Sequence, residues 1–292
     1  MFYHTVIDPF IQFGFMRRAL VACLALSLSI TVPGVFLLLR RMSLAGDALS
    51  HAILPGVSIG YLMYGMSLVA MGFGGFIAGL LVALASGWVS NLTPLREDAS
   101  FAGFYLGSLA LGVTLVSLHG SSVDLLHMLF GSILAVDRQA LFFVGYIATF
   151  TLLCIALLYR LLVMEAFDKA FLTVNARRAP GIINALFMTL VVLNLVAGFQ
   201  ILGTLMTVGL MMLPAISARC WVNRLPALLT VSAILTALSA FTGLVLSFNA
   251  GIPAGPAIVL TAALFFMVSI LFGAHNGLIP VFGKRTTQKE TS

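Results

Sequence analysis

Charge is what this chain has least of. Only 8% of its 292 residues are Asp, Glu, Lys or Arg, far below the roughly 25% of soluble domains, and a water-facing globule is excluded. Cysteine is scarce too: Cys23, Cys154 and Cys220 are scattered through or beside apolar stretches. That spacing draws neither a disulfide framework nor a CxxC metal cage, and the three read as small packing residues. Short segments alternating polar and apolar, the mark of a membrane β-barrel, are missing. So is a phosphate-binding motif. Gly283-Lys284 lacks the GxxxxGK[ST] spacing, and Arg285 stands where a hydroxyl would bind magnesium. With no HExxH pair either, no enzyme activity is expected in this chain.

The chain is rich instead in apolar surface. Hydrophobic residues make up 61% of it and mean hydropathy is +1.13. A bilayer core about 30 Å thick is crossed by roughly twenty apolar residues of helix, and such runs recur near 19–39, 48–64, 67–90, 100–118, 140–160, 182–199, 201–218, 226–248 and 255–273. The fold class they imply is an all-α polytopic membrane protein of about nine helices, with eight to ten in range. One polytopic helical domain, 1–292, holds spans within 15–275 and a polar tail at 276–292. The first run leads into Arg40-Arg41 without a small-residue cleavage site, so it reads as a retained helix and not a signal peptide.

The formal net charge of +6 orients the chain and does not suggest nucleic acid, because the basic residues lie in short connections. Arg160, Lys169, Arg177 and Arg178, then Arg219 and Arg224, then Lys284, Arg285 and Lys289 all fall on one side if the spans alternate. That side is cytoplasmic, and it also takes Arg40, Arg41 and Arg96. Arg17-Arg18 land outside, against the rule, unless an amphipathic or re-entrant N-terminal piece holds them.

Two connections stand out. Residues 119–139 are too interrupted for a full span and read as a short helix at the outer face. Residues 161–180 place Leu162, Ala166, Ala170 and Val174 four apart between charges, an amphipathic cytoplasmic segment suited to a membrane surface or a partner. Gly75/Gly79 and Gly103/Gly107 have the GxxxG spacing that permits close helix approach, and Pro33, Pro55 and Pro214 predict kinks.

The candidate chemistry sits in "RRMSLAGDALSHAILPG", residues 40–56. Asp47 and His51 are four apart and share one helix face. A carboxylate with an imidazole suits a borderline divalent cation such as zinc or manganese. An acid within a membrane helix costs about 2.5–3.5 kcal/mol on insertion scales, which calls for a partner or a wet path. From spacing alone two readings stay open, a cation path two to three turns into the helix, or an Asp47 that caps the helix or pairs with Arg40 or Arg41. Asp124 and His127, with His119 nearby, are a second candidate at the outer mouth, where plain surface polarity is the competing reading.

Together "RRMSLAGDALSHAILPGVSIGYL", "VDLLHMLFGSILAV", "LMTVGLMMLPAISAR" and "GIPAGPAIVL" resemble the zinc/manganese/iron permease family of ABC importers, over roughly residues 10–275. The resemblance implies a homodimeric permease in a bacterial inner membrane, bound to a cytoplasmic ATPase dimer and fed by an extracytoplasmic solute-binding protein. It implies metal contact by Asp47 and His51 on the translocation path. Its ATPase-coupling segment falls on Glu165, Asp168, Ala170 and Val174, with Val174 where the family commonly has Gly. No cofactor would be held permanently. The cargo would be a divalent metal, zinc ahead of manganese or iron, and ATP would act only through the partner. The competing class is an ATP-independent secondary transporter or channel that uses Asp47 as a relay.

Overall fold

The computed structural model describes residues 8–65, 67–94, 97–118, 136, 138–167, 172, 179–275 and 277. Among these residues the regular structure is entirely helical. In chain order the helices are α1 (Asp8–Gln12), α2 (Gly14–Leu39), α3 (Ala45–Ala52), α4 (Leu54–Tyr64), α5 (Leu68–Leu92) and α6 (Glu97–Leu118). They continue as α7 (Arg138–Phe167), α8 (Ala179–Leu202), α9 (Thr204–Trp221), α10 (Leu225–Ala250) and α11 (Ala254–Phe272). Eight of them, α2 and α5 to α11, are long and apolar enough to cross a bilayer. They match eight of the nine expected runs.

The ninth run is realised as two short helices in series. Residues 45–64 amount to about 30 Å of helix at 1.5 Å per residue, but the helix lapses at Ile53, where the backbone keeps helical angles (φ −71°, ψ −28°). Pro55 is the cause: it has no N–H to give the carbonyl four residues back and crowds that turn. Pro55 thus marks the junction of α3 and α4, across which Ile53 N–H still reaches the Leu49 carbonyl (3.2 Å) and Val57 N–H the Ile53 carbonyl (3.1 Å).

In lipid the apolar effect does not hold one helix against another, so close backbone contact and polar bonds must do so. A Cβ on Gly34 would stand 2.1 Å from the Met211 carbonyl oxygen, so α2 and α9 cross backbone to backbone beside Pro33 and Pro214. Thr31 and Thr236 share a hydroxyl hydrogen bond at 3.0 Å, Thr261 donates to the Ser239 carbonyl at 2.9 Å, and Asn194 Nδ2 donates to Thr151 Oγ1 at 2.8 Å. Such bonds contribute about 0.6 kcal/mol each on average. They also fix which helix faces meet. At the centre, α2 and α8 are each 67% buried over their spanning stretch, while α6, at 17%, is the most bare. Gly75 and Gly79 seat α5 against Ile53, Val57 and Val192, whereas Gly103 and Gly107 on α6 meet no described neighbour.

The helix ends assigned to the cytoplasm lie together. Arg40 at the end of α2 reaches Glu165 near the end of α7 and Asn184 near the start of α8. Trp221 Nε1 donates to Ser269 Oγ at 2.9 Å, and the His275 amide donates to the Cys220 carbonyl at 3.0 Å, joining the ends of α9 and α11. At the opposite face Arg18 Nε donates to the Val136 carbonyl at 3.1 Å, which gives one of the two misplaced arginines a partner. Phe10 stacks on Phe241 at 5.5 Å, tying the short α1 to α10. Helix α7 runs seven residues beyond the expected 140–160, so the first part of segment 161–180 continues a membrane helix.

Candidate functional site

The site is built on a tight turn. After Leu39 the chain closes with Arg41 N–H to the Leu38 carbonyl (3.1 Å) and Met42 N–H to the Leu37 carbonyl (2.9 Å). Arg41 takes φ +60°, the left-handed region usually left to glycine. Helix α3 starts at Ala45, which puts Asp47 in its first turn and His51 in its second. Both are nearer the inner end than the two to three turns expected. The positive end of a helix favours a carboxylate in that first turn.

Asp47 Oδ1 and His51 Nε2 stand 3.7 Å apart, with side chains 61% and 32% exposed. That separation is too long for a hydrogen bond, so each keeps lone pairs for a third party. The capping alternative fails, since the N-cap position is Leu44 and makes no side-chain cap bond. Arg40 is turned away to Glu165 and Asn184.

A groove opens beside Asp47, with Leu44, just before α3, and Asp47 and Ala48 of α3 on one wall and Asp98, Phe101 and Tyr105 of α6 on the other. The His51 ring lies near-parallel to Tyr105, with centroids 6.5 Å apart and planes 29° apart. Two carboxylates along one groove draw cations by their summed field. Asp98 and Tyr105 were not indicated by the sequence, because no local spacing ties α6 to α3. Above the pair, Ser108 Oγ of α6 donates to the Ala52 carbonyl at 3.0 Å, at the junction of α3 and α4. Ser50 Oγ turns to the Asp47 carbonyl at 2.7 Å and leaves the carboxylate alone.

Among the described residues no three His, Cys, Asp or Glu side chains converge tightly enough to hold a metal ion. The described residues offer two donors on one face, not a closed shell. The second candidate pair, Asp124 and His127, lies outside the described residues, as do Asp168, Ala170 and Val174 of the coupling segment. Glu165 is described: it is buried in the last turns of α7 and paired with Arg40.

Comparison with known proteins places this architecture. The profile of the ABC 3 transport family matches residues 12–273. The manganese transport system membrane protein MntC of Halalkalibacterium halodurans is 35% identical over 290 residues, covering 98% of this chain and 96% of the relative. A probable iron transport system membrane protein of Haemophilus influenzae is 28% identical over 274 residues, covering 94% and 95%. The solved structure of PsaBC from Streptococcus pneumoniae in complex with Fab superposes with a TM-score of 0.82 at 30% identity, covering 94% of this chain and 98% of that one. With the match running through all the spanning helices, this chain belongs to the ABC 3 transport family and is a multi-pass membrane permease of that family.

Proposed function

We propose that this chain is the membrane-spanning subunit of an ATP-driven importer that moves a divalent metal cation into the cytoplasm, with Asp47 and His51 as its contribution to the passage site. The observation that carries this is the open pair itself: a carboxylate and an imidazole on one face, 3.7 Å apart, with the carboxylate lining a groove. Two donors are half of a tetrahedral shell and a third of an octahedral one. A second copy of the chain across a two-fold axis supplies the matching pair, and water completes a larger shell. Oxygen and nitrogen donors without thiolate hold such ions weakly enough to release them. Manganese and iron rank ahead of zinc here, because the relatives from Halalkalibacterium halodurans and Haemophilus influenzae are manganese and iron systems.

A cytoplasmic ATPase dimer would supply the energy that this chain has no motif to harvest, and an extracytoplasmic binding protein would deliver the ion to the outer mouth. Membership of an ABC family weighs against the ATP-independent carrier. The test is uptake of radioactive manganese by cells carrying Asp47→Ala or His51→Ala, with assembly checked by co-purification of the ATPase. Uptake is expected to fall to background in both variants while the complex remains. Undiminished uptake in both removes these residues from the path.

A further inference from the structure

Arg40 ends α2 near the cytoplasmic face, where an arginine ordinarily extends its guanidinium to water or lipid headgroups. This one points inward. Its side chain is 7% exposed and pairs with Glu165, whose side chain is 5% exposed. Nη1 donates to Asn184 Oδ1 at 2.9 Å, and the guanidinium carbon lies 4.0 Å from the centre of the Phe187 ring. One cation thus gathers three helices, α2, α7 and α8. The chain beyond it has no slack: the Arg41 turn and the Ala45 N–H to Met42 carbonyl bond (3.0 Å) lead directly into α3 and Asp47. On the other partner's side, Glu165 stands two residues before the end of α7. Directly after α7 the sequence enters the segment of Asp168, Ala170 and Val174, to which the family resemblance gives contact with the ATPase.

We infer that the Arg40–Glu165 pair is a mechanical strut between the ATPase-contacting end of α7 and the helix that carries Asp47 and His51. The inference rests on the proposed reading of an ATP-driven importer. A displacement applied to the end of α7 reaches Glu165, passes to Arg40, and tilts α3 through a turn too short to absorb it. Packed elements of this kind switch between discrete arrangements and do not stretch. Both residues are positioning residues, since neither lines the Asp47 groove. Glu165 accordingly acts through Arg40, not by presenting its carboxylate to the ATPase.

The experiment uses the complete permease–ATPase complex in proteoliposomes, with Leu44→Cys as reporter. Leu44 is 74% exposed and immediately precedes α3. Maleimide labelling at that site is measured with and without vanadate-trapped ATP, above the background of the chain without the reporter. Manganese transported per ATP hydrolysed is measured in parallel. In Glu165→Gln, which keeps the side chain's size, the complex is expected to assemble and hydrolyse ATP. Its ATP-dependent labelling change and its transport per ATP are expected to fall by about five-fold or more. The exchanged pair, Arg40→Glu with Glu165→Arg, is expected to recover at least about half of both.

A labelling change in Glu165→Gln equal to that of the unmodified pair overturns the strut, and so does the absence of any ATP-dependent change at Leu44→Cys in the unmodified background. If Glu165→Gln fails to assemble, the exchanged pair decides. Recovery of assembly together with the labelling change supports the strut, and assembly without the labelling change overturns it, as does failure of the exchanged pair to assemble. Labelling does not depend on cargo. A complex that shows the labelling change yet moves no manganese, iron or zinc refutes the metal assignment and leaves the strut standing.

Discussion

Gly56 and Gly74 bring α4 and α5 together backbone to backbone: a Cβ on Gly56 would lie 2.0 Å from the Gly74 carbonyl oxygen, and one on Gly74 would lie 2.2 Å from that of Gly56. Alanine at Gly56 improves helix propensity by about 1 kcal/mol. Its clash, however, is with backbone that cannot rotate away, and overpacking of this kind costs about 1–3 kcal/mol. Gly56→Ala is therefore expected to lower the melting temperature of the detergent-solubilised protein. Gly145→Ala, at a glycine with nothing within 4 Å, is expected to leave it level or raise it slightly. Equal behaviour of the two variants would contradict the close crossing.

The Ser108 hydroxyl donates to the Ala52 carbonyl at the junction of α3 and α4. Ser108→Ala removes that bond at a cost of about 0.5–1.5 kcal/mol, next to His51 and not next to Asp47. Manganese uptake is expected to drop several-fold with little loss of assembled complex. Ser108→Thr, which keeps the donor, is expected to retain uptake. The comparison is made by uptake rates in cells normalised to permease content.

Asp98 borders the same groove as Asp47 from the opposite wall. Its carboxylate is exposed, so its effect is long-range attraction and not a tight bond. Asp98 lies close after Arg96 in the chain, on the side assigned to the cytoplasm and past the outer mouth where external ion is captured. Asp98→Asn is therefore expected to lower the Vmax of manganese uptake about three- to ten-fold with KM nearly unchanged. An unchanged Vmax would take Asp98 off the path.

Much of this architecture was legible in sequence because lipid imposes one rule on every span: about twenty apolar residues, all backbone groups bonded within the helix. The long runs obeyed it, so their helices fall within a few residues of expectation, apart from the extended inner end of α7. The shared face of Asp47 and His51 was legible because a four-residue spacing is a local fact. The nearness of Asp98, Tyr105 and Ser108 was not, since it comes from α6 lying beside α3, and no spacing within either helix records that. Glu165 shows the same limit. The family resemblance placed it in the ATPase-coupling segment, but no spacing recorded that its partner lies 125 positions earlier and draws it inward. Arg40 stands at the end of its span, as the run of apolar residues before it implied, but its direction depended on which helices surround it.

Arg41 carries two obligations in one side chain. Its backbone adopts a shape that glycine or asparagine holds at lower cost, while its charge adds to the signal that keeps this connection on the cytoplasmic side during insertion. Glycine would relax the turn and weaken the signal, whereas lysine would keep the signal and the strain. Replacements at Arg41 would thus be filtered by the geometry of the turn and by charge during insertion together.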